Sequence, residues 1–515
     1  MSKIKISEIT LITGLIISVA FISWSTAGTS VGAGFIALAY LIGLFRGGLI
    51  KPHNPLLFWG LIGGGLWMFV GLLWTSNIIV GLAILKVMLP MVIFPLGLLS
   101  VRWDFIRWGP IAVKVFIIAS FLAAIAGLVW GYWSSFMGGE THPRIWSPFI
   151  SHIRMGLILA IGWGILLLNR KYTYSVVYGI IAFLSIWNTA SVTGIVMLGI
   201  TAFFCWINLV KSSVKNKTII LSSLIISFGL TAITYSIYPS PFTGELPTHT
   251  PWGNKYVHHP EKYLEENGNK VWNLLAIDEM NKEWNLRSKV PFDSLDLNGH
   301  QIQTTLIRYL TSLDLPKNGE SVKTLSNSGV KNVENGRTTI KNHSGLMLRL
   351  EVLKFELGNF LDGGDPGGNS VTQRFEFMKT GIYILKSSGL KGLLFGVGTG
   401  DLPASFERAF VETSSRVDEV YRQEAHNQYI SLWVRSGFIG LVLWLIVLYA
   451  SWPKTSSIAR LAWCIIVLSC FAEDTLETQA GVTLTMLVLT GLTYFNCTII
   501  PIHKYENGYR QQKRW

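Results

Sequence analysis

His426 and Asn427 stand where a polar stretch of the chain runs into a long apolar one. Over Arg422–Leu445, the apolar residues Tyr429, Ile430, Trp433 and Val434 recur at helical spacing, and after Arg435 and Ser436 the sequence is apolar all round. Such a pattern predicts a helix that starts at a water–lipid boundary and then enters the bilayer. A histidine placed there meets water and lipid head groups together. Its ordinary pKa of about 6.5 suits a general base near neutral pH. A lone histidine can also be a structural or merely exposed residue, and the position at the membrane mouth is what favours chemistry.

Four further groups have the right chemistry. Arg374 precedes a helical pattern, Phe375, Met378, Ile382 and Leu385, and its planar guanidinium can grip a phosphate in a fork. As an isolated residue it is an ordinary solvated arginine. His152 and Arg154 open an apolar run after Pro148. A charge at that edge either snorkels to the interface or points at an anionic lipid head group. Lys86 lies roughly 10–12 Å inside an apolar run at about 1.5 Å per residue. It is either functional or paired with Glu473, Asp474 or Glu477. Gly396 and Gly398, in Gly396-Val397-Gly398-Thr399-Gly400-Asp401, can form a tight turn whose amides approach an anion. No strand–helix unit surrounds them, so a dinucleotide site is excluded.

These residues need a membrane scaffold. Half of the 515 residues are hydrophobic and only 14% are charged, against roughly 25% in soluble domains. Apolar runs near 9–23, 31–45, 57–74, 78–99, 110–131, 153–169, 174–190, 192–210, 218–238, 436–452, 457–472 and 481–500 predict about twelve transmembrane helices. The first run is read as an uncleaved span; a signal peptide ending near Ser25-Thr26-Ala27 is the alternative. The net charge of +13 does not indicate nucleic-acid binding. The stretch Pro239–His426 holds 23 acids and 21 bases, which leaves 7 acids and 22 bases to the membrane part. Those bases gather in alternate connections, which predicts cytoplasmic termini and an outward-facing segment between spans nine and ten. That segment is too long for a plain loop. Helical patterns at Glu261–Leu286, His300–Leu313 and Leu346–Leu361, and a helix from about Ser370 to Ser387 with Ser370 as its cap, make it a mainly helical domain. The expected organisation is a membrane domain over 1–238, a loop domain over 239–427, a second membrane portion over 428–500 and a basic cytoplasmic tail over 501–515. The four cysteines all lie in apolar runs, and no metal-ligand cluster is visible.

Taken in order, Gln373-Arg374, Leu394-Phe395-Gly396-Val397-Gly398-Thr399-Gly400-Asp401, Ala425-His426-Asn427-Gln428-Tyr429-Ile430 and Gly437-Phe438-Ile439-Gly440-Leu441 form a pattern that resembles the O-antigen ligase/polymerase superfamily. Twelve spans with one large outer loop are similar to its ligase branch. Pro148–Arg154 and Glu473–Gly481 look like the version found in the Bacteroidetes group. The resemblance implies an all-α polytopic membrane protein of the GT-C type in the bacterial inner membrane, its active site facing the periplasm. The implied activity is inverting, metal-independent transfer of a glycan from undecaprenyl pyrophosphate to a sugar hydroxyl of lipid A-core, with no cofactor. His426 matches the family's loop histidine and Arg374 the arginine on the pyrophosphate. Asn427, His152, Arg154, Lys86, Gly396 and Gly398 are the expected substrate-binding residues. Where the family often has a further arginine, this chain reads Ser191-Val192-Thr193-Gly194, and Arg154 is expected to supply the missing cation. Trp146, Trp252, Tyr256 and Trp433 form either a sugar platform or an interfacial belt. A surface-glycan polymerase, a protein oligosaccharyltransferase and a lipid-linked glycan transporter remain as alternatives. Of the paired Arg-x10-Gly motifs of well-known polymerases, only Arg308…Gly319 fits.

Overall fold

The computed structural model of the chain describes residues 3–137, 143–210, 242, 244–297, 299–340, 345–369 and 371–491. Within them the protein is predominantly helical, and its one sheet is a two-stranded ribbon. The helices begin where short polar residues precede apolar runs. Ser25 caps α2 (Thr26–Arg46), Asn54 caps α3 (Pro55–Val70) and Asn77 caps α4 (Ile78–Met88). In each, a side-chain oxygen accepts one of the amides that a helix start leaves unpaired. Preceding α2 is α1 (Lys3–Phe21).

Pro90 follows α4 and opens α5 (Pro90–Ser100), because proline cannot continue the donor ladder. Then come α6 (Phe105–Phe136), α7 (His152–Leu168), α8 (Tyr172–Asn188) and α9 (Val192–Val210). Among the described residues, five helices are long and apolar enough to cross a membrane: Thr26–Arg46, Pro55–Trp74, Ile78–Ser100, Phe105–Phe136 and Gln428–Ala450. Shorter apolar helices include His152–Leu168 and Ser457–Ala472. The expected ninth span, 218–238, and the end of the twelfth lie outside the described residues, as does the Ser370 cap.

Two compact units make up the chain. The first comprises Met1–Ile219, Phe377–Ser414 and Arg422–Trp515; the second comprises Ile220–Glu376 and Ser415–Tyr421. The boundary corrects the expected loop domain over 239–427, since 377–414 and 422–427 pack with the apolar helices. The reason is the glycine turn described below.

The second unit has its own core around Met280, Trp284, Phe292, Leu306, Leu310 and Val322. It holds α10 (Ile277–Arg287), α11 (Ile302–Ser312), α12 (Gly319–Thr324), α13 (Asn327–Glu334) and α14 (Gly345–Leu361). The predicted helix Glu261–Leu286 is only half right. Its first part is a hairpin, β1 (Glu265–Glu266) against β2 (Asn269–Lys270). Asn267 (φ +59°) and Gly268 (φ +86°) turn it, and an Asn-Gly pair is the strongest short-range hairpin signal.

The first unit continues from the second through α15 (Thr372–Ser387), followed by α16 (Gly389–Phe395) and α17 (Leu402–Glu412). It continues with α18 (Gln428–Ala450), α19 (Ser457–Ala472) and α20 (Gln479–Met486). Helix α18 is broken at Gly437, whose φ of +67° and ψ of −176° are not helical. The break leaves carbonyls without intrahelical donors. Val397 N–H donates to Val434 O at 2.9 Å, and Gly398 N–H to Arg435 O at 3.1 Å. Gly396 (φ +78°) makes the approach possible, since a Cβ there would stand 2.3 Å from Arg435 O. A Cβ on Gly437 would stand 2.1 Å from Leu394 O. Two glycines thus meet backbone to backbone.

Gly396→Ala is therefore expected to destabilise the protein by roughly 2–4 kcal/mol, through the clash and the left-handed backbone together. A lowered midpoint in detergent thermal unfolding checks this. Gly34→Ala, where a Cβ meets nothing within 4 Å, is the neutral control.

Candidate functional site

Asn427 is the cap of α18: its Oδ1 accepts from Tyr429 N at 3.1 Å and Ile430 N at 3.2 Å. Its Nδ2 donates to Phe471 O at 3.1 Å, which ties the helix start to the end of α19. The residue expected to bind substrate is thus occupied in positioning its neighbour. That neighbour, His426, has φ +48°, the left-handed region that a side chain enters at a cost. The sharp turn lays the imidazole on Phe377, ring centroids 5.7 Å apart and planes 22° from parallel. Phe377 is fully buried, so one ring face is dry.

The two ring nitrogens have different partners. Nε2 lies 2.7 Å from Gln423 Oε1. Nδ1 lies 3.5 Å from Glu473 Oε2, an ion-pair distance longer than a normal hydrogen bond. The same carboxylate oxygen is 3.6 Å from Arg154 Nη1, and Arg154 Nη2 donates to Asp474 O at 3.2 Å. Arg154 is 7% exposed and Glu473 3%. Snorkelling by Arg154 is ruled out by this burial. Its charge is held inside the protein by Glu473, which stands between one permanent cation and one titratable ring.

The connection that carries Glu473 is itself pinned. Leu476 N–H donates to Gln428 Oε1 at 2.6 Å, and Ser431 Oγ donates to Asp474 Oδ1 at 2.7 Å. Arg435 grips Glu477 with both terminal nitrogens, Nη2 to Oε2 at 2.7 Å. Burial, and then the Glu477 charge, push the Asp474 carboxyl above the ordinary carboxylate range; the Ser431 hydrogen bond and His426 pull the other way. The first turns of α18 therefore hold the 473–477 connection, and that connection presents a carboxylate to the histidine.

Neutral imidazole carries one proton. With the proton on Nδ1 facing Glu473, Nε2 has a lone pair for a substrate hydroxyl. This tautomer requires the Gln423 amide, whose Oε1 faces Nε2, to turn its NH2 toward the ring. A buried carboxylate behind a histidine fixes the tautomer and stabilises the imidazolium once a proton arrives.

The remaining expected site residues are distributed as follows. His152 opens α7, two residues before Arg154. The Ser191–Gly194 stretch abuts the same helix, with Gly194 Cα 2.9 Å from where a Cβ on Gly156 would stand. The first turns of α7 and α9 thus pack together at Gly156 and Gly194. Lys86 is exposed on α4 and, among the described residues, forms no ion pair with Glu473, Asp474 or Glu477, which removes the structural alternative raised for it. Arg374 lies in the first turn of α15, in the second unit, whereas His426 is in the first.

Gly396 and Gly398 do not form an anion cradle. The amides of Val397 and Gly398 are given to the broken helix, and Gly400 N–H to Thr75 Oγ1 at 3.2 Å. Asp401 completes the clamp by accepting from Ser76 N at 2.7 Å and Asn77 N at 2.9 Å. Nor are Trp146 and Tyr256 sugar platforms or belt residues. Trp146 is buried edge-on against Tyr132, and the Tyr256 hydroxyl accepts from Asn318 Nδ2 inside the second unit. Trp433 Nε1 donates to Leu393 O, while Trp252 is exposed. Among the described residues, no group of three His, Cys, Asp or Glu side chains is placed to hold a metal ion.

Fold and site together define a helical protein with several helices apolar enough for a membrane and a histidine–carboxylate–arginine cluster at the start of one of them. No family model matches the chain, and no curated protein matches it either.

Proposed function

We propose that this protein is a membrane glycosyltransferase that joins a lipid-linked glycan to a sugar hydroxyl, in the manner of an O-antigen ligase. The observation that carries the reading is Glu473 Oε2 at 3.5 Å from His426 Nδ1, beside the capped start of an apolar helix. The pair supplies a general base where two lipid-anchored substrates meet. The donor is a glycan on undecaprenyl pyrophosphate and the acceptor is lipid A-core. Twelve spans, cytoplasmic termini and a periplasmic loop domain complete the reading, within the bacterial inner membrane.

His426 Nε2 takes the acceptor hydroxyl's proton as its oxygen attacks the anomeric carbon from the face opposite the pyrophosphate. The carbon–oxygen bond to phosphate breaks, and the pyrophosphate leaves with the electron pair. Attack from that face inverts the anomeric centre. Arg374 is the cation assigned to the departing charge. Arg154 acts through Glu473, adding positive potential without touching the donor. Arg374→Lys is expected to lower transfer about 10²-fold, because a point charge does not replace a guanidinium fork. Full activity in that variant would leave only a generic cation at this position.

The test is transfer in proteoliposomes supplied with lipid-linked glycan and lipid A-core, in the presence of EDTA, with products resolved by gel shift. Glycan-bearing core supports the ligase reading. Longer lipid-linked chains with unmodified core point to a polymerase, and absence of any covalent product rejects both.

A further inference from the structure

Beside His426 the first unit carries a cleft of about 370 Å3, lined in part by Phe406, Glu407, Phe410, Arg422, Gln423 and Glu424. Clefts of this size accommodate small organic ligands. Gln423 connects the cleft to the site, since it lines the one and lies 2.7 Å from Nε2 in the other. Glu473 approaches the ring at Nδ1, so the cleft and the buried carboxylate address different nitrogens.

The floor is rigid and the walls are polar. Phe406 and Phe410 are buried, and Phe410 packs against Phe377, the ring on which His426 lies. Arg422 is held by Glu407 at 2.5 Å and stands over the Phe410 ring at 5.7 Å. Carboxylate, guanidinium and amide are planar groups that pair with adjacent hydroxyls two at a time. Two carboxylates against one guanidinium leave the cleft with an excess negative charge, which disfavours a phosphorylated or carboxylated ligand.

Resting on the glycosyltransferase reading above, we propose that this cleft is the acceptor subsite, that it takes an uncharged sugar, and that Gln423 passes the sugar's hydroxyl to His426 Nε2. The amide oxygen or NH2 of Gln423 occupies the position at Nε2 that an incoming hydroxyl must reach. Rotation of the side chain exchanges one hydrogen bond for another. An uncharged sugar at the reducing end of the donor has the same chemistry as an acceptor sugar, and the two are told apart by which KM changes.

The experiment compares wild-type protein with Glu407→Gln, Glu407→Ala and Gln423→Ala in proteoliposomes, varying undecaprenyl-pyrophosphate-linked glycan and lipid A-core separately. Glu407→Gln keeps the shape of a half-exposed side chain and guards against misfolding. The expected result is an acceptor KM raised about tenfold in the alanine variants with donor KM unchanged. Methyl β-glucoside should compete with the core in the wild type, and glucose 6-phosphate should not. A rise in donor KM alone would reassign the cleft to the donor, and unchanged KM values in all three variants would remove its role; either overturns the proposal while leaving the transferase standing. No transfer by the wild type with either substrate varied would overturn the parent reading itself.

Discussion

Alanine at position 426 is expected to lower glycan transfer by about 10²–10⁴-fold, the range that a positioned general base contributes, with the protein still inserted in the membrane. The loss is chemical rather than structural because few stabilising contacts end at this ring. It lies on Phe377 and meets Gln423 and Glu473, while the cap of α18 is made by Asn427. The left-handed backbone at φ +48° is a separate contribution, and His426→Asn distinguishes the two. Asparagine tolerates that conformation better than alanine and carries no base. Both variants should therefore be inactive, with the asparagine variant nearer to wild type in thermal midpoint. Normal transfer by either would eliminate His426 as the base.

A local signal marks His426 and Asn427 in the sequence: polar residues directly before a helical apolar run. The helices are marked in the same way, since apolar periodicity and Ser, Asn or Asp caps are local. Glu473 was out of reach as a partner. It is one of three acids in a short connection, and only the packing of α18 against that connection selects it over Asp474 and Glu477. Positive φ at Gly396 and Gly398 permits both an anion nest and a close backbone approach, and the choice depends on the distant Gly437. The hairpin at Glu265–Lys270 was different. Asn267-Gly268 was a readable turn, overridden by helical spacing in the residues around it. Membership of 377–414 in the first unit follows from the same clamp, which only the folded backbone brings together.

Glu473→Ala is the second large effect. Removing the carboxylate leaves the Arg154 guanidinium buried beside a backbone carbonyl, and breaking a buried pair on one side costs about 3–5 kcal/mol. The same change removes the carboxylate that faces His426 Nδ1, so transfer should fall along with the unfolding midpoint. Activity loss alone would then be ambiguous. Replacing both partners of a buried pair by apolar residues is often neutral or stabilising. The double variant Arg154→Met, Glu473→Met should therefore recover most of the midpoint. If Glu473 only neutralises Arg154, transfer recovers with it. If Glu473 orients the base, the double variant is stable and inactive. Recovery of stability without recovery of transfer is the expected outcome, because the 3.5 Å approach to Nδ1 is absent from the double variant whether or not the arginine has been satisfied.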